Sequence, residues 1–348
     1  MSFIQALLLG IIQGITEFLP VSSSGHLAII ENLFKIETDT GLLFNTIIHL
    51  GTLTAIFIAF RQDVKKLLLE GCKSLYDIYG NVWTYFHNRH QQDAKRYKKI
   101  ISNNYRKLLL LLFVSTVPTA FLGFLLQNVV EQAGKNLLAP AMGLFITGIL
   151  LLVVDFFPAG KKIPKDVTYS IAFLLGICQG IAVFPGISRA GITIAVCLLC
   201  GFNRKFAVKY SFLMAIPAML GAALLELFQF SYTGDNVQTM ALAVFAAAVA
   251  GVVGYFCIKG MLAVMRKKRF RIFSVYCFLL GIAAIVCNFI LVSGELIKGR
   301  KEIWQRPRKK VQGSEGLLPE ERKNKYRQDL LWSQKSFYGL FWLFLSYF

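Results

Sequence analysis

Glu17 is the only carboxylate within the long apolar stretch 2–30, and Arg189 is the only charged residue within a second such stretch, 170–200. A charge in an apolar run is costly enough to be read first as functional. Gln13 lies four residues before Glu17 on the same helix face. Together they offer amide and carboxylate oxygens, hard ligands that suit Mg²⁺ or Ca²⁺. After Pro20 the chain restarts as Ser22-Ser23-Ser24-Gly25-His26. Serines there cap a new half-helix whose unpaired N–H groups attract anions. His26 can serve as nucleophile or general acid, because imidazole changes protonation near neutral pH. In the second stretch Pro185-Gly186-Ile187-Ser188-Arg189 gives another half-helix start, and Arg grips phosphate oxygens through two parallel hydrogen bonds. The structural alternatives are a Glu17 bonded to backbone amides freed by Pro20, a His26 bonded to a nearby carbonyl, and a plain Arg189–Glu17 ion pair. The combination of carboxylate, hydroxyls, imidazole, guanidinium and two helix N-termini describes a site for a phosphorylated lipid.

These two stretches are copies of one another. Gln13-Gly14-Ile15 through Phe18, Ser22 and Gly25 recurs 166 residues later as Gln179-Gly180-Ile181 through Phe184, Ser188 and Gly191. Each is an apolar segment broken in the middle by Pro, Gly and Ser, the pattern of a helix–loop–helix hairpin facing a cavity.

With 55% hydrophobic side chains, 14% aromatics and a mean hydropathy of +0.56, the chain is an integral membrane protein. Full spans are predicted at 42–60, 107–127, 137–156, 206–228, 240–262 and 272–293, with re-entrant hairpins at 2–30 and 170–200. The first hairpin is read as mature structure and not as a secretion signal. The seven cysteines form no CxxC or Cys/His pattern and are read as packing residues. A hairpin plus three crossings in each half makes the halves, 1–156 and 170–293, inverted repeats of an all-α polytopic fold whose hairpin tips meet. Lys and Arg number 22 in 61–107, 157–168, 201–209 and 263–272, against 2 in 31–41, 128–136 and 229–239. The first set is therefore expected in the cytoplasm. The +19 charge then reflects orientation and anionic lipids, with no nucleic acid implied. The basic tail 294–348 fits this scheme poorly, and its apolar end, Phe337 to Phe348, is expected at the membrane interface.

At these residues the sequence resembles the undecaprenyl-diphosphate phosphatase family of bacterial membranes, the one associated with bacitracin resistance. One signature is Glu/Gln-x-x-x-Glu continuing into Pro-x-Ser-Ser-x-Gly-His, here Gln13 to His26. The other is Pro-Gly-x-Ser-Arg-Ser-Gly, here Pro185 to Gly191. The likeness extends from residue 1 to about 293 and includes Phe44 to Thr54 with its counterpart Tyr210 to Leu220. It implies hydrolysis of undecaprenyl diphosphate to the monophosphate and inorganic phosphate at the plasma membrane, dependent on Mg²⁺ or Ca²⁺, which recycles the lipid carrier of peptidoglycan synthesis. Bacitracin would compete for the substrate, and a homodimer is one assembly to test. Carried over by motif, Glu17 and Gln13 bind metal or do base work, and His26 and Ser23 are candidates for nucleophile or proton donor. Arg189, with Ser22, Ser24, Gly25, Gly186 and Ser188, holds the diphosphate. Ala190 departs from the pattern, which has Ser there, and Gln13 is the uncharged variant of the first acidic position.

The rival reading is an inverted-repeat transporter or flippase of a phosphorylated polyprenyl lipid. A carrier needs a phosphate clamp but has no use for a nucleophile.

Overall fold

The computed structural model describes residues 2–34, 41–90, 95–133, 137–158, 160–229, 237–266 and 270–305. Among them lie eleven α-helices: α1 (Phe3–Thr16), α2 (Ser23–Phe34), α3 (Gly41–Ala59), α4 (Arg61–His90), α5 (Asn104–Ala133), α6 (Leu138–Phe156), α7 (Tyr169–Ile181), α8 (Arg189–Leu199), α9 (Arg204–Gln229), α10 (Val237–Arg266) and α11 (Phe270–Gln305). A 3-10 turn at Pro164–Asp166 and one bridge between Lys162 and Phe202 complete the described structure. Helices α5, α6, α9, α10 and α11 are each long and apolar enough to cross a membrane, and α3 passes that test jointly with α4, across a bend of 85°. The chain is an all-α polytopic membrane protein.

One expectation needs correction. The stretch 61–107, expected as a basic connection between spans, is mostly the 30-residue helix α4; Glu70, Asp77, Asn81 and Asn88 face its own chain while the Lys and Arg of α4 stay outside, so its pattern mimics a solvated connection. The last predicted crossing, 272–293, matches an apolar span at Phe270–Ile290, and the helix that carries it runs on to Gln305. The chain divides into a unit Met1–Ser293 and a unit Gly294–Phe348, and the expected interfacial segment Phe337 to Phe348 lies outside the described residues.

The repeat extends to the caps and buried faces. Ser2 caps α1, accepting the Gln5 N–H at 3.3 Å while Gln5 Oε1 takes the Ser2 N–H at 2.7 Å. Thr168, 166 residues on, caps α7 by accepting the Ile171 N–H at 3.3 Å. The buried face of α1 is Ala6, Leu9, Gly10, Gln13 and Gly14, with Thr16 in addition. That of α7 is Ala172, Leu175, Gly176, Gln179 and Gly180, the same five repeat positions. Without a hydrophobic force between helices in lipid, small residues let backbones approach closely. A methyl at Gly10 would stand 2.6 Å from the Ala246 carbonyl oxygen of α10, and one at Gly14 2.8 Å from that of Ala250. The equivalents Gly176 and Gly180 press on Ser115 and Leu122 of α5. Helix α1 thus packs on a helix of the second repeat and α7 on a helix of the first, while α3 and α9 meet between them. These close contacts of α1 on α10 and of α7 on α5 help to set where the two tips lie.

Gly10→Ala and Gly176→Ala should each destabilise the fold by about 1–3 kcal/mol, the cost of overpacking a tight contact. Gly80→Ala on α4, where an added methyl meets nothing within 4 Å, should be neutral or stabilising. Thermal unfolding in detergent checks the order, and equal effects at all three positions would contradict the packing account.

Candidate active site

Both hairpin tips are closed by the same local chemistry. Ser22 accepts the Gly25 N–H on its hydroxyl at 3.2 Å, and Ser188, its repeat partner, accepts the Gly191 N–H at 3.0 Å. These hydroxyls are the N-caps of α2 and α8 and are buried. Ser22 has a positive φ of 66°, unusual for a residue with a side chain. Its carbonyl accepts both the backbone N–H of His26, at 3.3 Å, and the His26 ring at Nδ1, at 2.7 Å. In the second tip the left-handed residue is Gly186, with φ 86°, where a methyl would collide with the Pro140 carbonyl oxygen.

Helix α6 seats both tips. Thr147 Oγ1 accepts the Ser188 N–H at 2.9 Å and donates to the Gly143 carbonyl at 3.0 Å. A methyl on Gly25 would be 3.5 Å from Leu144 Cγ and 3.3 Å from Gly186 Cα. The tips touch: the Gly186 N–H donates to Ser24 Oγ at 3.3 Å. Two half-helix N-termini therefore start side by side, and their N–H groups and dipoles favour an anion. Ala190, at the position where the family pattern has serine, is buried in the core behind the α8 start.

Glu17 ends α1, with its N–H on the Gln13 carbonyl at 3.0 Å, and its carboxylate gathers donors from both repeats. Gln13 Nε2 donates to Oε2 at 2.9 Å and Ser23 Oγ donates to the same oxygen at 2.7 Å. Arg189 Nη2 is bonded to Oε1. His49 of α3 donates Nδ1–H to the Asn45 carbonyl at 2.7 Å, which leaves Nε2 facing Glu17 Oε2 at 3.7 Å. The carboxylate side chain is 4% exposed, whereas Arg189 and His49 keep 23% and 35% of theirs open. Both the structural ion pair and the phosphate clamp weighed from the sequence are compatible with this arrangement, since an incoming anion would compete with Glu17 for the partly exposed Arg189.

His26 takes Tyr276 of α11 as its second partner. With Nδ1–H donating to Ser22, Nε2 is the basic nitrogen and accepts the Tyr276 hydroxyl at 2.7 Å, the two rings stacked at 5.6 Å. The residues expected from sequence thus fall into two groups: Gln13, Glu17, Ser23 and Arg189 meet directly, and Ser22, Ser24, Gly25, His26, Gly186 and Ser188 build the adjoining tips. Sequence reasoning assigns no role to His49, Thr147 or Tyr276. His49 alone carries a signal, as the one other histidine inside an apolar run.

Among the described residues no group of three or more His, Cys, Asp or Glu stands ready for a metal ion. The buried Gln13 Oε1 has no hydrogen-bond partner, which is unusual for a buried amide oxygen. With the Glu17 carboxylate beside it, it fits a hard divalent cation, whose remaining ligands would be water and substrate oxygens.

Thr147→Val should cost about 1–3 kcal/mol by leaving the buried Ser188 N–H without its acceptor. Thr116→Val, which removes a hydroxyl bonded only within its own helix, should cost less. Thermal unfolding of the two variants decides this, and a larger loss for Thr116→Val would contradict the role given to α6.

The family model described as bacitracin resistance protein BacA matches residues 6–283. Proteins named Undecaprenyl-diphosphatase are similar over most of the chain. That of Methanosphaera stadtmanae is 37% identical over 291 residues, 84% of this chain and 100% of its own. The Desulforapulum autotrophicum protein is 36% identical over 83% of this chain and 100% of its own. The Desulfosudis oleivorans protein is 39% identical over 80% of this chain and 96% of its own. A match of this extent, covering both hairpins and all the helices between them, makes the chain a member of the bacitracin resistance protein BacA family.

Proposed function

We propose that this protein is an integral membrane phosphatase that hydrolyses undecaprenyl diphosphate to undecaprenyl phosphate and inorganic phosphate. The observation that carries the reading is the Glu17 carboxylate, bonded at once to the Ser23 hydroxyl and to Arg189 from the opposite hairpin, in a chain whose relatives bear that enzyme's name.

The chain's own residues then divide the work. The terminal phosphate enters between the α2 and α8 N-termini, and Arg189 turns from Glu17 to its oxygens. Glu17, relieved of that partner, becomes the base toward the hydroxyl it already accepts. It takes the proton as Ser23 Oγ attacks phosphorus and the bond to the lipid monophosphate breaks; a water then attacks the phosphoseryl ester, Glu17 returns its proton to Ser23 Oγ, and both water hydrogens leave with inorganic phosphate. Gln13 holds the carboxylate in place throughout through its Nε2–H. His26, with Tyr276 on its basic nitrogen, is the group that handles the proton on the leaving side. Arg189 and the backbone N–H groups meet the charge that develops there. A divalent cation held by Gln13 Oε1 and Glu17 would supply Lewis-acid neutralisation of the diphosphate.

The basic segments are assigned to the cytoplasmic side of the plasma membrane and the hairpins to an inverted pair, with the active site opening outward, so that the enzyme recycles the lipid carrier of cell-wall synthesis and competes with bacitracin for its diphosphate. Pure transport is disfavoured by the Ser23–Glu17 bond of 2.7 Å, which a carrier would not need.

Phosphate release from undecaprenyl diphosphate by the purified protein, with Mg²⁺, Ca²⁺ or EDTA, tests the reading. Wild type should release phosphate only with metal, and Arg189→Ala should lose on the order of 10²-fold or more in rate. Folded wild-type protein that releases none with either metal would overturn it.

A further inference from the structure

Helix α4 has no counterpart in the second repeat, where the next helix after α9 is α10. Only Phe60 separates it from the end of α3, and it runs at 85° to that helix. If α3 crosses the bilayer, α4 runs along its surface. Its faces are reversed relative to a helix on a soluble protein. The inward face is polar and bonded to its own chain: Glu70 and Asp77 accept from the buried Arg106 at 2.9 and 2.8 Å. Asn81 pairs with both backbone groups of Lys98, at 2.7 and 2.8 Å, and Asn88 does the same with Lys95, at 2.8 and 2.9 Å. The outward face carries Leu68, Leu69, Leu75, Tyr79, Trp83 and Phe86, at helical spacing, each between 51% and 69% exposed. An apolar stripe of this length is not left to water.

We propose that the outer face of α4 lies in the headgroup–acyl boundary of the bilayer, and that the elbow between α3 and α4 holds the phosphate of an anionic phospholipid. The elbow is a groove of about 430 Å³ lined by Phe57, Arg61, Val64, Lys65, Leu68 and Leu69. Arg61 and Lys65 are one helical turn apart, and the rest of the lining is apolar, which suits a phosphate with an acyl chain beneath it. Lipid is favoured over a second copy of the chain by the composition of the stripe. Tyr and Trp interleaved with leucines and flanked by Lys and Arg are an interfacial signature. The stripe is also continuous with the exposed Phe57 and Ile58 at the end of α3. The proposal does not depend on the phosphatase reading.

Two single-tryptophan proteins test it. In one, Trp304, Trp332 and Trp342 are replaced by Phe and Trp83 reports; in the other, Trp83→Phe is added and Leu68→Trp reports from the elbow. Each is reconstituted in phosphatidylcholine vesicles with bromine near the headgroup or near the acyl end, with and without brominated phosphatidylglycerol. Thermal unfolding verifies that each protein is folded. Trp83 should be quenched more by shallow than by deep bromine. The elbow tryptophan should prefer phosphatidylglycerol, and that preference should fall about fivefold for each charge removed by Arg61→Gln and Lys65→Gln. Trp83 quenched at neither depth, or shielded as the protein-to-lipid ratio rises, would overturn the membrane seat in favour of water or a second copy. Equal quenching of the elbow by both lipids, unchanged in the Gln variants, would overturn the phosphate site.

Discussion

The buried carboxylate of Glu17 is the constraint on which the rest of this structure depends. A charge taken out of water into a helical membrane domain has to be met by donors, and removing one partner of such a pair typically costs about 3–5 kcal/mol. No single helix can meet it. Gln13 comes from the same helix, Ser23 from across the tip and Arg189 from the other hairpin. The close glycine contacts of α1 on α10 and of α7 on α5, the twin serine caps and the seat on α6 all bring these donors to one point. The same convergence that stabilises the resting carboxylate prepares the chemistry. In the proposed mechanism an anion arriving between the helix N-termini takes over the partly exposed guanidinium and leaves a base next to a hydroxyl.

The repeat makes much of this legible in the amino-acid sequence alone. A broken apolar segment seen once is ambiguous, but seen twice in register it identifies the hairpins, their caps and the residues at their tips, because Ser22 and Ser188 sit at one repeat position and do one job. The differences between copies are equally informative: Glu17 faces Val183 in the alignment and Ser23 faces Arg189, so each copy supplies what the other lacks. What stays hidden are the partners from long crossing helices. Tyr276 and Thr147 lie on helices apolar over most of their surface, where periodicity no longer says which face looks inward. Nothing local marks a tyrosine on α11 as the partner of a histidine on α2.

Helix α4 escapes sequence reading for a related reason. Pattern reading assumes that polar residues face water, and here Glu70, Asp77, Asn81 and Asn88 face the chain's own backbone and Arg106. Next to a membrane the solvent on one side is lipid, so the rule inverts and an ordered helix reads as a solvated connection. The element lies outside the repeat and its sequence bears no relation to the tips, which is consistent with a role in seating the protein and not in the reaction.

The central claim is that the two hairpins form one catalytic unit through Glu17 and Arg189, and a double-mutant cycle tests it most directly. The measurement is kcat/KM for undecaprenyl diphosphate in wild type, Glu17→Gln, Arg189→Gln and the double variant, each verified as folded by thermal unfolding. Residues that act as a unit are non-additive, so the account predicts a double variant about as slow as the slower single one. Losses that multiply across the two positions would mean that the residues work independently, and would contradict it.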